Sequence, residues 1–243
     1  MGTSMGTAIM TVTPTRMDIS GPSVRPAAVL FAWFSPAFPT GGFAYSHGLE
    51  TLAAEGRVAG EEGLRRWLGQ VLVHGAGWSD AVLFAMAHRA SLEPDDAGLR
   101  HAAALAAALA PSRERLAESM GQGSAFLAAV HEGWPDAEPV ALGKHAPLPC
   151  AAGACCAGAG TPIREALEAY LTAFAASLIA AGIRLGLCGQ TGGVRILAAL
   201  GPVIGDLALR GADADEDDLG GCALACDAAS MRHQSLNGRL FLS

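Results

Sequence analysis

The hydrophobic positions of this chain fall into helical rhythms. From Pro162 the residues Ile163, Leu167, Tyr170, Leu171, Phe174 and Leu178 recur mostly at three- and four-residue steps, one face of a helix. Thr161 is placed to cap that helix, and Pro162 suits its first turn. Leu64, Trp67, Leu68, Val71 and Leu72 repeat the rhythm from Glu61 onward. Residues 80–89 (DAVLFAMAHR) and 99–109 predict two more helices, punctuated by Pro94 and Pro111. Ser112 is an N-cap for RERLAESMGQGSAFLAAV. Two later stretches, GGVRILAALGPVIGDLALR and DDLGGCALACDAASMRH, also read as helices, the second with an acidic first turn that suits the helix dipole.

Strand signals are scarce. No alternating Val/Ile/Thr run appears, and the Asn-Gly pair at 237–238 lacks flanking strands. The 31 glycines oppose a helical reading, since each one inside a helix costs about 1 kcal/mol relative to Ala. Many must therefore lie at helix ends or where helices approach closely. The pattern predicts an all-α fold, a single compact bundle of about ten helices, with no repeat of fixed period. Residues 134–160 mix breakers with alanine and cysteine and give no clean pattern.

Composition adds a surface problem. Hydrophobic residues make up 51% of the 243 and charged ones 16%, against roughly 25% charged in ordinary soluble domains. Such a chain is expected to cover part of its surface with a partner or a second copy. A net charge of −7 and a single lysine, Lys144, argue against a nucleic-acid binder. The best apolar run, residues 166–183, contains Glu168 and ends at Arg184, so no membrane span is expected. Residues 1–26 lack the basic start and apolar block of a signal peptide and read as a disordered leader. Six cysteines without a secretion signal suggest free thiols in a reducing cytoplasm.

The densest chemistry sits in FPTGGFAYSHGLE, residues 38–50. It is no phosphate loop: there is no GxxxxGK[ST], and GQTGG at 189–193 follows no predicted strand. The seven histidines show no HExxH or HxxxH spacing. Cys150, Cys155 and Cys156 near His145, and the Cys222/Cys226 pair, could in principle take a soft metal, but buried hydrophobic cysteines account for them better. Ser46 and His47 are adjacent, which points their side chains apart rather than into a dyad. No catalytic residue emerges. What remains is interaction. The end of the chain, SMRHQSLNGRLFLS, combines Arg232, His233, Gln234 and Arg239 with the apolar Leu240, Phe241 and Leu242. It is expected to dock on a partner, with a tail folded back on its own core as the alternative. The organisation is then a leader (1–26), a helical body (27–229) and a docking tail (230–243).

Four ordered segments together resemble the UreF-type urease accessory proteins: SPAFPTGGFAYSHGLE (35–50), PSRERLAESMGQGSAF (111–126), IRLGLCGQTGGVRIL (183–197) and DAASMRHQSLNGRLFLS (227–243). Pro39, Gly41, Gly42, Phe43, Ser46, Gly48, Leu49 and Glu50 match the first motif. Gly189, Gln190, Thr191, Gly193 and Arg195 match the third. Met231, Arg232, His233, Arg239, Leu240, Phe241 and Ser243 match the last. Leu187, Cys188, Val194, Gln234 and Leu242 depart from the family pattern.

The resemblance implies an all-helical, non-enzymatic chaperone that dimerises and binds UreD (also called UreH). The pair recruits the GTPase UreG to apo-urease, and nickel is delivered by the assembled complex, with no cofactor held tightly by this chain. Two other roles stay open: a nickel carrier in its own right, or a regulator of UreG that gates GTP hydrolysis or speeds it with Arg195 or Arg232. The expected partner-binding residues are Tyr45, Ser46, His47, Glu50, Gln190, Arg195, Arg232, His233, Arg239, Leu240 and Phe241. Pro39, Gly41, Gly42, Gly48 and Gly189 are expected to shape turns. In residues 38–50, Pro39 should end a helix, Phe43 and Leu49 should fold inward, and Tyr45, Ser46 and His47 should face a groove or partner.

Overall fold

The computed structural model describes residues 25–93, 95–221, 223–236 and 238–242. The expected leader falls outside them except for Arg25 and Pro26, which already cap and open the first helix. Among the described residues there are ten α-helices and no strand: α1 (Pro26–Trp33), α2 (Leu49–Ala54), α3 (Gly60–His74), α4 (Ala76–Leu92), α5 (Asp96–Ala108), α6 (Arg113–Gly133), α7 (Leu148–Gly158), α8 (Ile163–Arg184), α9 (Gln190–Gly211) and α10 (Leu224–Arg232). The all-α expectation holds.

The rhythms read from the sequence are the buried faces. Leu64, Trp67, Leu68, Val71 and Leu72 form the inner stripe of α3, with Glu61 and Glu62 in its positive first turn. The Ser112 hydroxyl accepts from Arg115 N at 3.1 Å, capping α6 as expected. Asp95 caps α5 in the same way, through Gly98 N at 2.9 Å. Thr161 does not cap α8. Its hydroxyl donates to the Cys156 carbonyl at 2.9 Å and closes the end of α7, while Pro162 takes the cap position of α8.

Helix α7 occupies the stretch that gave no pattern. It lies between α4 and α6, and every residue from Pro149 to Ala157 is buried. A helix buried all round has no polar face to reveal its period. Its small residues let backbones meet: a Cβ at Gly153 would collide with the Phe84 carbonyl of α4. The three cysteines of α7 are buried free thiols, and burial pushes the Cys156 thiol up to about 12. Helices α8 and α9 pack against each other and complete the core with α3 and α4. By length and composition alone both are long and apolar enough to cross a membrane, a test that buried core helices also pass. In this fold half of the most apolar stretch of α8 is buried inside the protein.

Candidate functional site

The segment that follows α1 and the C-terminal tail meet on one surface of the protein. Helix α1 stops at Trp33, ahead of Pro36, so Pro39 is not its terminator. The chain then runs through a short 3₁₀ turn, Gly42–Ala44, into a tight turn at 46–49 closed by Leu49 N donating to Ser46 O at 2.9 Å. Both central residues, His47 (φ 58°) and Gly48 (φ 79°), are left-handed. Gly48 is required twice. A side chain there would be strained, and its Cβ would sit 3.0 Å from the Cys226 carbonyl and from Ser230 N of α10. Cys226 Sγ also donates to the His47 carbonyl at 3.0 Å, so α10 grips this turn.

The side chains of the turn face inward. Ser46 and His47 are buried, and the His47 ring meets Phe174 edge-on at 5.3 Å. Phe43, expected inside, is 78% exposed, while Leu49 is buried as expected. Tyr45 is half-buried beside a cavity described below. The glycine roles divide differently from expectation. Gly41 is left-handed (φ 73°), but Gly42 is not. At the third motif the left-handed residue is Gly186 (φ 74°), whereas Gly189 is extended at the cap of α9.

The tail folds back onto this turn, the alternative to a free docking arm. The carboxylate of Glu50 gathers it. Oε2 accepts from His233 Nε2 at 2.9 Å and from Phe241 N at 3.2 Å, and Oε1 accepts from Leu240 N at 2.6 Å. Leu242 N donates to the Ala44 carbonyl at 2.8 Å. Phe241 is buried beneath Arg184, whose guanidinium carbon stands 4.3 Å from the ring centroid. Arg232 forks onto Glu55, both bonds at 3.0 Å, and Gln234 donates to Glu114. Leu240, Leu242 and Arg239 remain exposed.

Beneath the turn lies a polar cluster that sequence reasoning did not name residue by residue. Arg115 and Glu118 of α6 pair with each other, one helical turn apart. His47 Nδ1 lies 3.6 Å from Glu118 Oε1, beyond hydrogen-bond length. Tyr170 donates to Asp80 at 2.8 Å. Burial opposes ionisation of Glu118, but Arg115, with help from His47, outweighs it and holds the carboxyl well below the usual carboxylate range. Burial, then Arg115, lowers His47 to about 4, so the ring is neutral. Burial raises Asp80 to about 6, against the Tyr170 hydrogen bond. The signal was present in PSRERLAESMGQ: Arg115, Glu118 and Gln122 share one face at three- and four-residue steps.

The cluster floors a cavity of about 500 Å³, walled by Trp33, Phe34, Phe38 and Phe126 on one side and by residues 39–43 and Tyr45 on another. The third motif lies elsewhere. Gln190 is exposed at the start of α9, and Arg195 forks onto Glu61 of α3 at 2.9 and 2.7 Å on the surface. The expected site residues thus form two groups. Tyr45, Ser46, His47, Glu50, Arg232, His233, Leu240 and Phe241 come together, with Arg239 at their edge, while Gln190 and Arg195 stand apart. Among the described residues no three His, Cys, Asp or Glu side chains converge as a metal site; Cys222 lies outside them.

These features define an all-helical protein whose polar site is knit from ion pairs and backbone hydrogen bonds around buried carboxylates. The UreF family model matches residues 58–201. The chain is 48% identical over 214 residues to the urease accessory protein UreF of Agrobacterium fabrum, covering 88% of this chain and 95% of that one. It is 44% identical over 214 residues to the UreF of Brucella ovis, covering 88% and 92%, and 44% identical to that of Mesorhizobium japonicum, covering 88% and 95%. The chain belongs to the UreF family of urease accessory proteins.

Proposed function

We propose that this chain is a non-enzymatic scaffold of urease maturation. It works in the cytoplasm as a homodimer, binds UreD/UreH, and with it recruits the GTPase UreG to apo-urease so that nickel enters the urease active site. The observation that carries the reading is the surface made jointly by residues 43–44 and the C-terminal tail. Phe43, Leu240 and Leu242 are exposed large apolar side chains, 78%, 51% and 64% accessible, and the Leu242–Ala44 hydrogen bond sets two of them side by side. The groups that seat the tail, the His233 ring and the Leu240 and Phe241 amides, are already committed to Glu50, so the outer side chains have no evident part in holding the fold. Exposed apolar groups on a built, ordered support suit a docking surface.

The test is co-expression with UreD/UreH, followed by capture of UreG. The doubly altered chain Phe43→Ser, Leu242→Ser should fold and melt like the unaltered one but lose the complex or the capture of UreG. Full capture by that variant overturns the assignment of this surface. The role of regulator through an arginine finger finds less support. Arg195 and Arg232 each have their fork taken by a carboxylate, Glu61 and Glu55. A carrier role would need converging ligands, and the thiols of α7 are buried and protonated.

A further inference from the structure

The tail and the cavity share a wall. Within residues 41–45, Gly41, Gly42, Phe43 and Tyr45 line the cavity, while Ala44 takes the tail through its carbonyl. Among the described residues two bonds tie this segment to elements beyond itself: Leu242 N to the Ala44 carbonyl, and Arg184 to the Phe43 carbonyl. Both involve the tail seat. Leu242 follows the anchor Phe241, and Arg184 is the side chain that lies over the Phe241 ring while also lining the cavity. Within the wall Phe43 is 78% exposed and Gly41 and Gly42 carry no side chain, which leaves the half-buried Tyr45 as its main side-chain hold on the cavity. The opposite walls are regular helix, α6 and α8, packed into the core.

We infer that the C-terminal tail is a clamp on the cavity: Glu50 and Phe241 hold the tail, the tail holds residues 41–45, and releasing it opens the aromatic chamber. Local stability in proteins follows such divisions. Segments with few buried contacts open independently of the core, and the bonds that hold them set how often they do. Two events that move the same wall are linked in both directions. A group entering between Phe38 and Phe126 would favour the released tail, and a contact that lifts the tail would expose the chamber. This device does not depend on which protein the chain meets, and stands or falls apart from the scaffold reading.

The experiment uses the full chain, hydrogen exchange read by mass spectrometry, and the fluorescence of the apolar dye anilinonaphthalene sulfonate. Phe241→Ala removes the anchor. Amides of 38–46 and 236–242 should then exchange faster together, by about tenfold or more, and dye fluorescence should rise, with α3 and α9 still protected. Arg184→Gln cuts the second tie and leaves the Glu50 seat alone; it too should loosen 38–46 and raise dye fluorescence. If Phe241→Ala frees 236–242 while 38–46 and the dye signal stay unchanged, the clamp is wrong. Should Phe241→Ala also strip protection from α3 and α9, the Arg184→Gln chain decides: protected amides at 38–46 with no added dye signal overturn the proposal, and their loosening supports it.

Discussion

Two carboxylates organise the two motif-bearing regions of this molecule, in opposite surroundings. Glu50 is buried and gathers His233, Leu240 N and Phe241 N from the far end of the chain. Glu61 stands at the surface and forks with Arg195. Each pairs a carboxylate with a cationic type of side chain, and each links segments more than 130 residues apart. Burial separates their consequences. A buried carboxylate that loses its place leaves donors with no water to turn to, whereas exposed partners are screened and rehydrated at once. The first pair therefore belongs to the fold, and the second leaves the fold largely indifferent to it.

The largest expected effect follows directly. Glu50→Ala strands three donors in a closed seat and should cost about 3–5 kcal/mol, the range for breaking one side of a buried polar pair. Urea unfolding of the full chain, read by circular dichroism, measures it. A loss below about 1 kcal/mol would mean that the tail is not held by Glu50.

That the Glu50 seat is fold and not surface could not be read from one sequence. The partner of Glu50 lies 183 residues away, and nothing in SHGLE or MRHQ states that they meet. Ser46 and His47 were read as outward because polar side chains in a turn usually are. They point inward because the left-handed pair at 47–48 swings them under α10 and against Phe174. Conversely Phe43 was read as inward because it is apolar, yet the 3₁₀ turn leaves it outside. Helices with one wet face were legible: the stripe of α3 and the Ser112 cap of α6 appeared as expected. Helix α7 was not, because periodicity needs a polar side to contrast with a buried one.

The pH dependence of the buried cluster gives a smaller and more discriminating effect. His47 is lowered to about 4, so between about pH 4 and 6.5 the unfolded chain binds more protons there, and stability rises with pH. Asp80 is raised to about 6, so between about pH 4 and 6 the folded chain binds more protons there, and stability falls as pH rises. The two slopes oppose each other across nearly the same window, so these two contributions largely cancel in the unaltered chain. His47→Asn, a residue that tolerates the left-handed backbone, should leave the falling limb. Asp80→Asn should leave the rising limb. Each should change stability by about 1–3 kcal/mol across the window, measured as urea midpoints at pH 4.5, 6 and 7.5. Parallel profiles for the two variants would show that these groups are not the ones titrating.

The smallest expected effect lies at the exposed pair, and it is the one that bears on partners. Arg195→Ala should leave the unfolding midpoint unresolved from that of the unaltered chain, because an exposed fork is screened and costs side-chain entropy to hold. The same variant, and Glu61→Ala, which frees the guanidinium, then isolate the surface role without touching the fold. An arginine finger is worth about 10³–10⁵ in rate, so an Arg195 that reached into UreG would announce itself in single-turnover GTP hydrolysis. The scaffold reading expects no acceleration by the unaltered chain and none by Glu61→Ala, with UreG capture by Arg195→Ala weakened at most in a salt-dependent way. Acceleration by Glu61→Ala that disappears when Arg195 is also replaced would move this chain from scaffold to regulator. Glu61 would then be the side chain that keeps the finger folded away until a partner displaces it.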